Sequence, residues 1–333
     1  MGTGCPPYAY AFPQPSPLKR EVTKVTTQLA LSQLLNGLQL GVLLFLLAAG
    51  LTLVFGIMSF VNLAHGSLYM LGAYFGAAAF ANTDSFSLAI IAAVGGAGLV
   101  GLLLDRFALT KLYARDHLDQ VLATFGLILF FNELIRIIWG PSSIFIQVPK
   151  ALESTVDIAG ITYPSYRLAI IAVGLAVAFG LYVLIQKTRV GMLIRAGATN
   201  ANMVAALGVN IKWLNTLVFA LGAGLAGLAG VMAGPIVSVQ PGMGEPVLIL
   251  TLVVIIIGGL GSIRGAFFAA LIVGVVDTLG RAFMPTLMRS LMERNAADAA
   301  GPALASMLIY LFMAVVLAVK PQGLFPANVA ATR

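Results

Sequence analysis

Charged residues are scarce in this sequence, and their scarcity decides the medium in which the chain folds. Asp, Glu, Lys and Arg make up 9% of the 333 residues, whereas 60% are hydrophobic. A soluble globular domain carries roughly 25% charged residues, so this composition excludes an ordinary soluble protein. The length leaves room for roughly eight to ten spans of about 20 residues and for no separate soluble domain. The sequence predicts an all-α polytopic membrane protein.

The sequence also lacks the residues of most chemical sites. Its single cysteine, Cys5, excludes an intramolecular disulfide. No G-x-x-x-x-G-K-[ST] motif is present, so any ATP must be handled by another subunit. The two histidines, His65 and His117, form no H-E-x-x-H site, and no G-x-S-x-G motif occurs. We therefore predict no enzyme, no metal site and no cofactor bound to this chain.

Nine apolar segments follow a proline-rich start. Residues 1–30 contain no long apolar run and are predicted to be a disordered tail. The membrane domain is predicted over 31–325, followed by a cytoplasmic tail at 326–333. The apolar segments, two of them short, cover 34–57, 62–81, 86–104, 121–139, 166–186, 214–237, 247–260, 265–283 and 303–319. We expect about eight or nine transmembrane helices.

Lys and Arg concentrate in alternate connections between these segments. The loops at 105–120 and 187–213 and the C-terminal segment are basic, whereas the connections between them carry few basic residues. By the positive-inside rule, these loops and the C-terminus are cytoplasmic. The side of the N-terminus stays open, because Lys19 and its basic neighbours favour the cytoplasm whereas nine full spans would place it outside. Topology explains the basic excess, so it indicates no nucleic-acid partner.

Polar residues interrupt the apolar stretch FGIMSFVNLAHGSLYMLGAYFG at 55–76. A helix in lipid must satisfy its own backbone groups, so a break at depth is tolerated only against protein or water. We predict a broken or re-entrant helix near 56–67, where transporters build their sites. The alternative is that Asn62 and His65 cap a short helix or hydrogen-bond a neighbouring one. The residues predicted to line a translocation path are Asn62, His65, Gly66 and Ser67.

Glycine patterns occur in two further segments. Small residues recur every four positions in 220–234, which predicts a helix packed closely against others. A second Gly-broken apolar stretch, 255–274, lies in the other half of the chain. Paired interruptions in the two halves suggest an internal duplication.

Two pairs of opposite charges lie inside predicted spans. Glu133 precedes Arg136 by three residues, and Asp277 precedes Arg281 by four, so each pair shares one helix face. Mutual neutralisation lowers the cost of burying the charges in the membrane, and both pairs lie close enough to helix ends to reach the interface.

Four motifs in order resemble one transporter family. They are GLTLVFGIMSFVNLAHGSLYMLGAY (50–74), TRVGMLIRAGATNANMVAALGVN (188–210), VVIIIGGLGSIRGAFFAALIVGVV (253–276) and KPQGLF (320–325). They resemble the LivH-type permease subunits of branched-chain amino acid ABC importers. Urea-importer permeases are similar in the same motifs, which leaves a urea or amide permease as an alternative.

The resemblance implies partners and a membrane. Such a permease translocates a small polar solute, here a branched-chain amino acid, by alternating access across the plasma (inner) membrane of a bacterium or archaeon. It assembles with a homologous second permease subunit, two cytoplasmic ABC ATPase subunits that handle ATP, and an extracytoplasmic solute-binding protein.

The segment TNANMVAALGV (199–209) has the spacing of a short helix inside the longest basic loop, 187–213. Asn200 or Asn202 is placed to cap its start, and Gly208 to end it. An exposed apolar face on such a helix suits a groove on a partner, and the resemblance places ATPase docking here. The alternative is a helix lying against lipid headgroups. The predicted coupling residues are Thr199, Asn200, Met203, Ala206, Leu207 and Gly208.

A second class of function is a secondary transporter that works alone. Asp277 or Glu133 would then be its ion-coupled group. The compact basic loop at 187–213 argues against this reading, because an autonomous transporter has little need of it.

Overall fold

The computed structural model describes residues 17–58, 60, 62–113, 115–158 and 160–325, with side chains described from residue 28 onward. The helices are α1 Pro17–Met58, α2 His65–Thr83, α3 Phe86–Phe107, α4 His117–Trp139, α5 Ser165–Lys187, α6 Arg189–Ala206, α7 Ile211–Ala233, α8 Gly244–Gly258, α9 Ile263–Leu291 and α10 Arg294–Val319. Short 3₁₀ turns cover Leu109–Lys111 and Lys150–Leu152, and an antiparallel hairpin joins β1 Thr155–Ile158 to β2 Ile161–Pro164. The described part of the chain is thus almost entirely helical, as predicted.

Seven of these helices are long and apolar enough to cross a membrane, namely α1, α3, α4, α5, α7, α9 and α10. The other two apolar segments that the sequence predicts form α2 and α8. The 15 residues of α8 rise about 22 Å, which is less than the roughly 30 Å of a hydrocarbon core. All nine predicted segments are therefore helical: seven are long and apolar enough to span a membrane, and α2 and α8 begin inside the bundle.

The helix ends assign the basic loops to one end of the molecule. Asp105 at the end of α3 accepts a 2.5 Å hydrogen bond from Thr216 at the start of α7. Gly56 near the end of α1 approaches Gly261 in the turn between α8 and α9. We call this end the basic face, since it carries Arg106, Lys111, Arg115, Lys187, Arg189, Arg195, Lys212, Arg264 and Lys320. The β-hairpin and Asp84 lie at the opposite face.

The KPQGLF segment closes the basic face beneath α8. The backbone N–H of Leu324 donates to the carbonyl of Ile257 at 2.8 Å, and that of Phe325 donates to Gly258 at 3.1 Å. A helix leaves its last carbonyls without internal partners, so this segment completes the hydrogen bonding at the end of α8.

Two breaks divide the bundle into units of opposite direction. The chain leaves helical structure between α1 and α2, and again at 234–243 between α7 and α8. α1 runs toward the basic face and α7 away from it, so α1–α2–α3 and α7–α8–α9 form an inverted pair. The interruption predicted at 255–274 is present, because α8 ends at Gly258 and α9 begins at Ile263, but it is the turn at the basic face; the counterpart of the first break is the segment 234–243.

Glycines bring the central helices into backbone contact around α7. A Cβ at Gly72 of α2 would lie 2.2 Å from the Cα of Gly227, and one at Gly50 of α1 would lie 2.6 Å from the Gly222 carbonyl. Gly230 meets the backbone of α2 at Tyr69 in the same way. The small-residue row predicted in 220–234 therefore packs against α1 and α2, where close approach replaces a hydrophobic driving force.

The predicted tails fall largely outside the described residues. Residues 1–16 of the tail predicted over 1–30 lie outside them, and α1 begins at Pro17, so the helix takes in the rest of that range. The predicted tail at 326–333 also lies outside the described residues.

Replacing Gly72 with Ala should destabilise the bundle. The added methyl group collides with the backbone of α7, and overpacking of this kind costs about 1–3 kcal/mol. The measurement is the temperature at which detergent-solubilised protein loses its monodisperse elution peak. Gly95→Ala is the matched control, because nothing lies within 4 Å of a Cβ at Gly95. Equal melting temperatures for the two variants would contradict the packing described here.

Candidate functional site

The N-termini of α2 and α8 meet inside the membrane domain. A Cβ at Gly66 would lie 2.6 Å from the Gly244 carbonyl oxygen, and one at Gly244 would lie 2.1 Å from that of Gly66. Only glycine fits at either position. From Gly258 at the basic face to Gly244, α8 rises about 21 Å at about 1.5 Å per residue. The junction therefore lies within the hydrocarbon core.

Asn62 and His65 brace the first break. Each side chain is 1% exposed. Asn62 Oδ1 accepts a 3.0 Å hydrogen bond from the backbone N–H of Ala64, and His65 Nε2 lies 3.2 Å from the Leu47 carbonyl of α1. Asn62 Nδ2 and His65 Nδ1 have no hydrogen-bond partner among the residues that the structure describes. His65 thus bonds a neighbouring helix, as the alternative allowed, whereas Asn62 bonds the turn before α2 and does not cap the helix itself.

Gly66 and Ser67 line a narrow cleft between α2, α4 and α8 that admits no water molecule in this conformation. Two polar residues complete it. Asn132 of α4 donates from Nδ2 to Oε1 of Glu245, the second residue of α8, at 2.5 Å. The remaining lining residues are apolar or glycine: Leu63, Met70, Ile128, Gly244 and Leu248. The structure thus brings Gly66 and Ser67 together with the Glu245 carboxylate. Asn62 and His65 do not line this cleft.

Glu245 and Asn132 were not predicted from the sequence. Glu245 falls in the gap before the predicted segment 247–260, where it looks like a loop residue. The signal was available in GMGEPV, because Gly-Glu-Pro between two apolar runs is typical of a helix that starts inside the membrane.

The two predicted ion pairs are formed. Arg136 Nη1 lies 2.9 Å from Glu133 Oε1 on an exposed face of α4. Arg281 Nε lies 2.7 Å from Asp277 Oδ1 on α9, where the Asp277 side chain is 5% exposed and that of Arg281 57%. Each carboxylate therefore has a cation beside it.

A buried carboxylate joins three elements at the basic face. Asp105 of α3 is 1% exposed and accepts hydrogen bonds from Thr216 of α7 and from the Tyr113 hydroxyl. Burial, and then the hydrogen bond and charge of Asp105, raise the pKa of Tyr113 above its ordinary value, so the phenol keeps its proton and donates. The Tyr113 ring also meets Phe60 in the first break, with ring centroids 5.2 Å apart.

The predicted coupling segment forms the second half of α6. The helix kinks at Asn200, whose φ of −155° and ψ of 92° are not helical. Its Oδ1 accepts a 2.9 Å bond from the Met203 N–H, so Asn200 caps the following turn. At the far end Gly208 has φ of 88°, and Val209 N–H donates to the Val204 carbonyl, which is a Schellman cap. Thr199 lies just before the kink and bonds the Arg195 carbonyl.

The outward face of this capped segment is apolar. Met203 is 64% exposed and Leu207 77%, and Ala206 beside them is also exposed, whereas Val204 is buried against the bundle. The three exposed residues lie on one helix face at the basic end of the molecule, so the segment presents an unpaired hydrophobic surface next to positive charge.

Comparison with known proteins adds the family. The family model described as the permease component of branched-chain amino acid transport systems matches residues 33–317. The chain belongs to this permease family. No solved structure is significantly similar to the permease.

Three relatives from different organisms are similar to the permease over most of its length. The permease is 31% identical over 267 residues to the high-affinity branched-chain amino acid transport system permease protein BraD of Pseudomonas aeruginosa, covering 75% of this chain and 86% of that protein. It is 28% identical over 273 residues to LivH of Escherichia coli K12, covering 77% and 87%. A probable LivH of Methanocaldococcus jannaschii is 28% identical over 247 residues, covering 71% and 76%.

His65→Gln should keep most transport activity of the permease, whereas His65→Leu should destabilise it. A glutamine amide can still donate to the Leu47 carbonyl, and a leucine loses a bond worth about 0.5–1.5 kcal/mol. Thermal unfolding in detergent and uptake into vesicles are the two measurements. A folded Gln variant without uptake would show that the imidazole itself is required, as in a proton-coupled transporter.

Proposed function

We propose that this permease is the membrane subunit of an ATP-driven importer of branched-chain amino acids in a bacterial or archaeal plasma membrane. The family and its named relatives support the substrate class. The dependence on an ATPase partner is supported by the capped segment of α6, which exposes Met203 and Leu207 at the basic face. A short rigid helix with an apolar face is a form that a groove on a partner protein binds.

The distribution of charge supports the orientation. The basic loops and the end of α10 gather at one face, which the positive-inside rule assigns to the cytoplasm. Two ABC ATPase subunits dock there and supply ATP hydrolysis, and this chain holds no cofactor of its own. An extracytoplasmic solute-binding protein delivers substrate at the opposite face, near the β-hairpin.

A second, homologous permease subunit completes the translocation path. Glu245 is exposed at a depth where lipid is unfavourable for a carboxylate, so its surroundings in the membrane are protein or water. The path therefore runs along the face formed by α4, α8 and the start of α2, between the two permeases, and the Gly66–Gly244 junction backs it.

The remaining carboxylates argue against a secondary transporter. Asp277 and Glu133, the candidate ion-coupling groups, are each held by an arginine on the same helix. A carboxylate that neutralises its own arginine is a poor site for reversible ion binding.

The proposed function predicts uptake that depends on ATP and on the binding protein. The complex, reconstituted in liposomes with its ATPase and binding protein, should import labelled leucine when ATP is supplied and should not import labelled urea. Leucine import without ATP, driven by an imposed proton gradient, would instead favour a secondary transporter, and import of urea alone would favour the urea-permease alternative.

The double substitution Met203→Asp and Leu207→Asp should uncouple the importer. Two charges placed in an apolar contact weaken ATPase docking, so leucine uptake falls at least about tenfold while the permease still inserts. Co-purification of the ATPase and uptake are measured together.

The matched control exchanges the same two residues, Met203→Leu and Leu207→Met, which keeps the face apolar and should keep uptake. If the Asp variant transports normally with its ATPase bound, the segment is a lipid-surface helix and not the coupling element.

A further inference from the structure

Among the described residues, Glu245 carries a carboxylate in the cleft that no cation neutralises. Its one polar contact is the amide of Asn132, and no Lys or Arg lies within salt-bridge distance of it among the residues that the structure describes. Asp277 and Glu133 differ in this respect, because each pairs with an arginine. A carboxylate without a cationic partner inside a membrane domain is costly, and a positively charged ligand would offset that cost.

The position of Glu245 also points to a ligand. The residue is exposed at the inner end of α8, about 20 Å above the turn at Gly258, and Ile249 is exposed one turn below it on the same helix. Asn132 holds the carboxylate in place from α4. The two helices thus present a fixed negative charge to the side of the molecule rather than to its core.

Apolar side chains surround this charge. Leu63, Met70 and Leu248 line the cleft together with Glu245 and Asn132. A cation with an aliphatic body fits such a lining, whereas a neutral polar solute finds one charged group and no apolar match.

We propose that Glu245, positioned by Asn132, binds the ammonium group of the transported amino acid, while the apolar residues of the cleft accept its branched side chain. This assignment rests on the proposed function and adds a residue that recognises substrate within the permease itself. The cleft is closed in the present conformation, so binding requires α4 to separate from α8, and the ammonium group then replaces the Asn132 amide as the partner of Glu245.

The first experiment measures the charge at the cleft without relying on transport. Ser67→Cys is nearly isosteric, lines the cleft, and is made in a Cys5→Ser background. Its rate of reaction with cationic 2-aminoethyl and anionic 2-sulfonatoethyl methanethiosulfonate is measured in the assembled complex during ATP turnover. The cationic reagent should react several-fold faster, relative to a free thiol, and Glu245→Gln should abolish that preference.

The matched control is Glu133→Gln, which removes an exposed carboxylate of α4 outside the cleft and should leave the preference unchanged. A preference that survives Glu245→Gln would overturn the assignment. So would failure of both reagents to react during turnover, because the cleft would then never admit a charged solute.

The second experiment measures transport. Glu245→Gln keeps a hydrogen-bonding partner for Asn132 but removes the charge, so leucine uptake should fall at least about tenfold. The stimulation of ATPase activity by the liganded binding protein should persist, and Glu133→Gln should import normally. Normal uptake by Glu245→Gln would overturn the assignment. A wild-type complex that imports no leucine would instead overturn the proposed function, which the thiol-reagent preference does not depend on.

Discussion

The absence of water from the bilayer core governs this structure, because each backbone break must find its hydrogen bonds inside the protein. The segment at 234–243 meets this need at the opposite face, where Val239 and Ile144 exchange backbone bonds of 2.8 and 2.9 Å. The first break meets it through Asn62, whose side chain and carbonyl accept bonds from Ala64 and His65. Both breaks therefore find their hydrogen bonds within the protein, where the surrounding helices shield them from lipid.

Enclosure depends in turn on close approach of the helices. Gly50, Gly72 and Gly227 let α1, α2 and α3 reach the backbone of α7, which makes α7 the centre of the bundle. α4 lies at the edge of this arrangement and packs chiefly on α2, through buried residues such as Ile128, Phe131 and Ile135. The tightly packed centre around α7 holds the broken helices in place. α4 packs less closely, so one side of the broken helices is left open to a partner.

Local features of this fold could be predicted from the sequence, and long-range ones could not. The apolar segments, the break near 56–67 and the caps at Asn200 and Gly208 follow from composition and from short-range backbone chemistry. The contact between Gly66 and Gly244 depends on how two units that are distant in sequence pack together. Neither segment contains a pattern that predicts this contact. The counterpart of the first break, 234–243, was missed for a related reason: the glycines of 255–274, which mark the α8–α9 turn, are conspicuous, whereas 234–243 resembles an ordinary loop between two apolar segments.

The two ends of α8 are connected to different parts of the molecule. Its basic end is tied to Leu324 and Phe325, and its inner end carries Glu245, with an unbroken run of helical backbone between them. The residues after α10 and the Glu245 carboxylate, about 20 Å apart, are thus joined through one helix, which gives the basic face that carries α6 a direct backbone connection to the carboxylate.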